Sequence, residues 1–166
     1  MQITLLIAFF IFFVYNSFVI SDFGIPKSLS ETYYLYKERY NRGWFFPVSM
    51  FVIIGLLLPL WIVISEGSIF QFLAFLAPVS LLFVATAPMF KSSNLENNVH
   101  TISAYIGAAC ALLWIILVAQ YWWIIIATLI SVTLVALKTD TFKSGIVYWL
   151  ELVTLVSTFI TMFLYM

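Results

Sequence analysis

The sequence predicts an all-α integral membrane bundle of six transmembrane helices, with a short amphipathic interfacial helix in the first cytoplasmic loop. Three observations predict it. Of the 166 residues, 64% are hydrophobic and only 8% are charged, against roughly 25% charged in a soluble domain. So few polar groups could not cover a water-facing surface, and a bilayer must solvate most of the chain. Apolar runs long enough to cross a membrane recur along the whole length, and the basic residues fall only in alternate loops. The length predicts a single transmembrane domain over 1–166, with no separate soluble domain.

A bilayer-spanning helix needs about 20 mostly apolar residues. The first run, about 3–20, meets this, as do 44–65 and 69–90. Residues 101–137 form one apolar tract. As a single helix it would be ~55 Å long, nearly twice the hydrocarbon core. It divides at Gln120, which is flanked by Trp114, Tyr121, Trp122 and Trp123. Tryptophan and tyrosine favour the headgroup level, so the predicted helices are 101–119 and 121–137, joined by a tight hairpin. The sixth run is 145–166. These runs are far longer than the roughly 10 residues of a barrel strand, and they lack its alternation. Pro59 and Pro78 lie inside runs, where membrane helices tolerate a kink, whereas Pro47 and Pro88 lie near helix ends.

Orientation follows from charge. Lys27, Lys37, Arg39 and Arg42 lie in the first loop, Lys91 in the third, and Lys138 and Lys143 in the fifth. Six helices put these three loops on one side and leave the other side with no Lys or Arg. Basic loops stay cytoplasmic, so both termini are expected outside. Five or seven helices would break the separation. The first helix lacks a basic N-terminal region and a small-residue cleavage site, and reads as an uncleaved anchor rather than a signal peptide.

In the first loop, Ser28-x-x-Glu31 matches a capping box and predicts a helix over about 29–41. Leu29, Tyr33, Tyr36 and Tyr40 fall on one face; Glu31, Glu38 and Arg42 fall on the other. This is the pattern of a helix lying on a membrane surface, serving either as an aromatic anchor or as a gate or docking surface. Ser68-x-x-Gln71 and Ser93-x-x-Glu96 are further caps, the latter for one turn in the third loop.

The sixth helix carries the most informative pattern. Ser144, Tyr148, Glu151, Thr154, Thr158, Thr161 and Tyr165 recur at spacings of three and four, so all share one face. A polar stripe facing lipid is unfavourable, so it should face the bundle interior, as the wall of a polar pathway or as hydrogen-bond glue. Glue of this kind contributes ~0.6 kcal/mol per bond. Glu151 sits about 9 Å into the helix. An ionised carboxylate there costs on the order of 2–3 kcal/mol. It is either a functional group or a neutral or salt-bridged one, with Lys143 or Lys91 as the available cation.

Asn16, Ser17, Ser49, Thr86, His100, Ser103, Ser131 and Thr133 lie toward the same, cytoplasmic half of their helices. With Glu151 and Tyr148 they predict a wet cavity open to the cytoplasm. His100, the only histidine, either exchanges protons with Glu151 across it or caps a helix. One histidine and one cysteine, Cys110, exclude the usual metal sites and any internal disulfide, and no metal or cofactor is expected. No HExxH, GxSxG, Walker A or GxGxxG occurs. Zero formal net charge leaves no basic footprint for nucleic acid. Ser103-x3-Gly107-x3-Ala111 beside Ala104-x3-Ala108 makes a small-residue face on the fourth helix. It suits close packing within the chain or between copies in a homo-oligomer.

The segment Pro26-Lys27-Ser28-Leu29-Ser30-Glu31-Thr32-Tyr33-Tyr34, with Ala87-Pro88 and Val99-His100, resembles parts of small multi-spanning membrane proteins of Bacteroidetes and their phages. The resemblance covers about the first two thirds of the chain. It implies a prokaryotic inner membrane and no particular activity. The intramembrane hydrolases of the ceramidase and progestin-receptor type need three histidines where this chain has one. Three functional readings remain open. The first is a transport or channel protein with Glu151, Tyr148, Thr154, Thr158, Thr161, His100, Ser103 and Asn16 lining its path. The second is a non-catalytic scaffold or regulatory partner acting through helix packing. The third, an intramembrane lipid-modifying enzyme using Glu151 and His100, is the least favoured, since no catalytic motif accompanies them.

Overall fold

Apolar runs this long close their backbone hydrogen bonds internally as helices, because hydrocarbon offers no other partner. The computed structural model describes all residues, 1–166, and is all-α with seven helices. They are α1 (Gln2–Phe23), α2 (Thr32–Tyr40), α3 (Phe45–Ile64), α4 (Gln71–Thr86), α5 (Asn94–Leu117), α6 (Trp122–Lys138) and α7 (Ile146–Tyr165). Four of them, α1, α3, α5 and α7, are long and apolar enough to cross a membrane. The apolar helices α4 and α6 are shorter, at 16 and 17 residues.

Local chemistry explains where the helices depart from the sequence expectation. α4 stops at Thr86 rather than near residue 90, because Ala87 precedes Pro88 and leaves the helical region, with φ −109° and ψ 56°. α5 begins at Asn94, seven residues before the predicted 101. Ser93 accepts the amide of Glu96 at 3.2 Å, so this cap opens the long helix itself and not an isolated turn. Gln120 takes a φ of +60°, and the chain turns there between α5 and α6. Ser28 and Glu31 shape a turn ahead of α2, which starts at Thr32 and not at 29. The Ser28 hydroxyl accepts the Glu31 amide at 3.1 Å, and the Glu31 carboxylate accepts the Lys27 amide at 2.8 Å.

The core runs along α1, α3 and α7 and into the α4–α5 pair, which packs most extensively. Trp61, Trp114, Tyr15, Tyr148, Phe46 and Phe159 are its largest fully buried side chains. Gly107 lets α5 approach α4: a Cβ there would meet Leu81 Cδ2 at 3.0 Å and the Ala77 carbonyl at 3.4 Å. The small-residue face around Gly107 and Ala111 is therefore used inside the chain. α6 leans mainly on α7. Outward-facing Ile3, Phe10 and Phe13 of α1, Tyr105 of α5, and Leu134 and Leu137 of α6 are each more than half exposed. Apolar exposure on this scale is foreign to soluble monomers and suits a hydrocarbon solvent.

Contacts gather the connecting segments into two ends. At one, Lys91 in the α4–α5 loop reaches Glu31 at 3.4 Å, and its amide donates to the Tyr34 hydroxyl at 2.8 Å. Gly145, ahead of α7, lies against Ile25 and Pro26. At the other, Met1, Gln2, Val63, Ile64, Tyr165 and Met166 share a shallow concavity of about 310 Å³.

Candidate functional site

Leu29 and Glu151 meet across 122 residues of chain. The first turn of α7 has unsatisfied amides, as every helix start does. The connection between α1 and α2, here called loop 1, supplies partners. The Lys27 carbonyl accepts the Tyr148 amide at 3.0 Å. In return Glu151, one turn further on, accepts the Leu29 amide at 2.6 Å with Oε2. The Leu29 carbonyl accepts the Thr32 hydroxyl, which in turn accepts the Tyr15 hydroxyl of α1. Both backbone groups of one loop residue are thus held, one by α7 and the other through Thr32 by α1. Leu29, Ser30 and Thr32 are buried as a result.

A second polar link lies beside the first. The Tyr148 hydroxyl donates to Asn16 Oδ1 at 3.0 Å, and Asn16 Nδ2 donates to the Phe12 carbonyl at 2.8 Å. Around α2, Arg39 donates to the Asp22 carbonyl at 2.6 Å, and Tyr36 packs edge-on against Phe23 and Phe45. Burial pushes the Tyr36 hydroxyl above its usual pKa, and the Asp22 carboxylate and Tyr40 add to this. Tyr36 and Leu29 of the predicted apolar face are buried, whereas Tyr40 is 43% exposed.

Glu151 meets no cation. Lys91, one of the two cations available to it by sequence, pairs with Glu31 instead, and Lys143 is exposed. Glu151 itself is half-buried, and its carboxylate is held by the Leu29 amide with no ion pair. Tyr148 and Asn16 join it at the end where Lys91 and Gly145 meet the segment after α1, the basic end of the bundle. Thr154 and Thr158 turn back on their own helix, donating to the carbonyls of Leu150 and Thr154. Thr161 is buried with no partner. His100 is not brought to Glu151: its Nδ1 donates to the Ala87 carbonyl at 3.1 Å, and its ring stacks on Phe90. Ser103 is half-buried on α5. Ser17, Thr86 and Ser131 are exposed and bond to their own helices, so they line no shared interior. A concavity of about 430 Å³ lies at Phe90–Asn97, away from Glu151.

Sequence reasoning missed Leu29 as a partner, because a backbone amide has no residue signature. It also missed Thr32 and Tyr15, and the buried Thr128–Ser157 bond at 2.5 Å that fastens α6 to α7. Ser157 stands one position off the stripe, and Thr128 carries the only hydroxyl in the first half of α6. No family model, no curated protein and no solved structure matches the chain.

Proposed function

We propose that the chain is a small six-span membrane protein of transport or channel type, in which loop 1 closes the basic end of the bundle. The observation that carries this is the grip of Glu151 on the Leu29 amide: a carboxylate placed on an apolar helix, with no cation, holding a loop. An ionisable group spent this way inside a hydrophobic segment is a functional candidate by default. The polar layer of Asn16, Tyr148, Tyr15 and Thr32 directly under the loop is the part of the interior such a gate would uncover.

Six spans are supported by the two gathered ends. The Lys91–Glu31 pair and the seat of Gly145 against Ile25 and Pro26 draw the segments between α1 and α2, α4 and α5, and α6 and α7 together, which supports α4 and α6 each running between the ends although they are short. Helices of 16 and 17 residues reach ~24–26 Å, which local bilayer thinning or interfacial turns can accommodate. The basic end is then cytoplasmic and both termini outside. The resemblance to proteins of Bacteroidetes and their phages supports an inner-membrane location.

Flux in proteoliposomes tests the reading. Native protein should support flux of small ions, and Glu151→Gln should change it at least several-fold. Equal flux in the two, or none above empty vesicles, removes the proposal. A second reading, a non-catalytic scaffold or partner, is favoured by one observation: Thr154, Thr158, Ser157 and Thr128 are all spent on helix bonds. It predicts that Gly107→Leu abolishes function while Glu151→Gln is silent.

A further inference from the structure

Most polar bonds between segments in the interior join neutral groups. Tyr148 with Asn16, Tyr15 with Thr32, Thr128 with Ser157, and Trp114 with Ser65 are all neutral pairs. None of these side chains changes charge between about pH 5 and 8. Two bonds involve ionisable side chains, His100 on the Ala87 carbonyl and Glu151 on the Leu29 amide, and only the second holds loop 1. Ionised, its carboxylate accepts a charge-assisted bond roughly twice as strong as a neutral one. Protonated, it becomes in part a donor and loses that advantage. The donor opposite it is a backbone amide on a loop, not a fixed helix, so the two ends of the bond separate when loop 1 lifts.

The groups facing Glu151 leave it to respond alone. On its own helix Tyr148 is bonded to Asn16, and on α1 Tyr15 is bonded to Thr32. On loop 1, Lys27 is exposed and gives only its backbone, while Glu31 is held by Lys91 and the Lys27 amide. On α5, His100 is occupied by Ala87. Lys138, Asp140 and Lys143, between α6 and α7, are exposed to solvent, and α3 carries no titratable side chain.

We infer that Glu151 is a proton-binding site, and that taking up a proton releases loop 1 from α7. The step is a simple exchange: the carboxylate gains a proton from the aqueous side of the basic end, and the Leu29 amide passes from Glu151 to water. It rests on the transport reading for its consequence, which is that protons drive or gate the flux. The latch itself stands on the geometry alone.

Hydrogen exchange read by mass spectrometry on the full chain in nanodiscs tests it, with rates corrected for the intrinsic effect of pH. In the native protein, peptides covering residues 26–32 should lose about tenfold of their protection between pH 8 and pH 5, the loss expected for one charge-assisted bond. Peptides around Trp114 should stay constant. Glu151→Gln should show the low level at every pH, and Glu31→Gln should keep the pH response. Leu29→Pro, which removes the donor and keeps the acid, should match Glu151→Gln and guards against a folding defect in that variant. A flat native profile overturns the inference. So does a pH response that survives in Glu151→Gln, or one that vanishes only in Glu31→Gln. Absent flux with an intact pH response would instead remove the transport reading and leave the latch.

Discussion

The two ends of the bundle are closed by different chemistry. At the basic end, loop 1 is tied down through backbone and side-chain polar groups: Leu29 to Glu151, Lys27 to Tyr148, Tyr15 to Thr32, and Glu31 to Lys91. At the opposite end, closure rests on large apolar side chains. Trp61 meets Trp114 edge-on with ring centroids 5.8 Å apart, and one bond joins Trp114 to Ser65 at 2.6 Å. Apolar contact has no direction and is insensitive to pH. Polar bonds have both direction and an on–off character. An end built from them can open in response to a ligand or proton, whereas one built from indoles resists.

Substitutions can break or sharpen this contrast. The largest effect is expected from Gly145→Val. Its Cβ would meet Ile25 at 2.9 Å and the Pro26 carbonyl at 3.2 Å, so Ile25 and the loop 1 backbone must shift away from α7. Overpacking of this kind costs about 1–3 kcal/mol, and the lost seat adds to it. Unfolding in mixed micelles should show the drop, with exchange of residues 26–32 rising together with it. Tyr148→Phe comes next. It leaves buried Asn16 Oδ1 unsatisfied and should destabilise by about 1 kcal/mol in the same assay.

The opposite end allows a paired comparison. Trp61 and Trp114 are both fully buried, but Trp61 Nε1 has no partner and Trp114 Nε1 donates to Ser65. Each Trp→Phe change removes similar volume. Trp114→Phe should therefore destabilise by about 1 kcal/mol more than Trp61→Phe. Equal effects would mean the bond contributes nothing and the end is purely apolar. The smallest effect belongs to Lys91→Met. Lys91 is 51% exposed, and a pair of this type contributes about 0–1 kcal/mol. Its melting shift should shrink further at high salt.

The helices were legible because period and run length are averaged over many residues. The turn at Gln120 was legible from one polar residue among aromatics. The length of α5 was not. The predicted helix began at 101, yet the Ser93 cap and the intact helical backbone carry Asn94, Asn97 and Asn98 in an extra two turns ahead of it. Glu151 was singled out by its type and position, but its partner was sought among lysines. A loop amide satisfied it instead, a choice made by tertiary packing that leaves no trace in composition. The polar stripe of α7 was real as a pattern and divided in use: Tyr148 and Glu151 reach other segments, whereas Thr154 and Thr158 bond to their own backbone.

The span of 122 residues between Leu29 and Glu151 bears on biogenesis. Loop 1 leaves the ribosome long before α7 does, and until that helix inserts, the Leu29 amide and the Asn16 carboxamide have no partner across the bundle. Contacts of such sequence separation form late. A nascent chain halted before residue 148 should hold its first segments in the bilayer with an unsealed basic face, open to proteases and quality-control factors. Insertion of one late helix then converts that exposed intermediate into the finished protein.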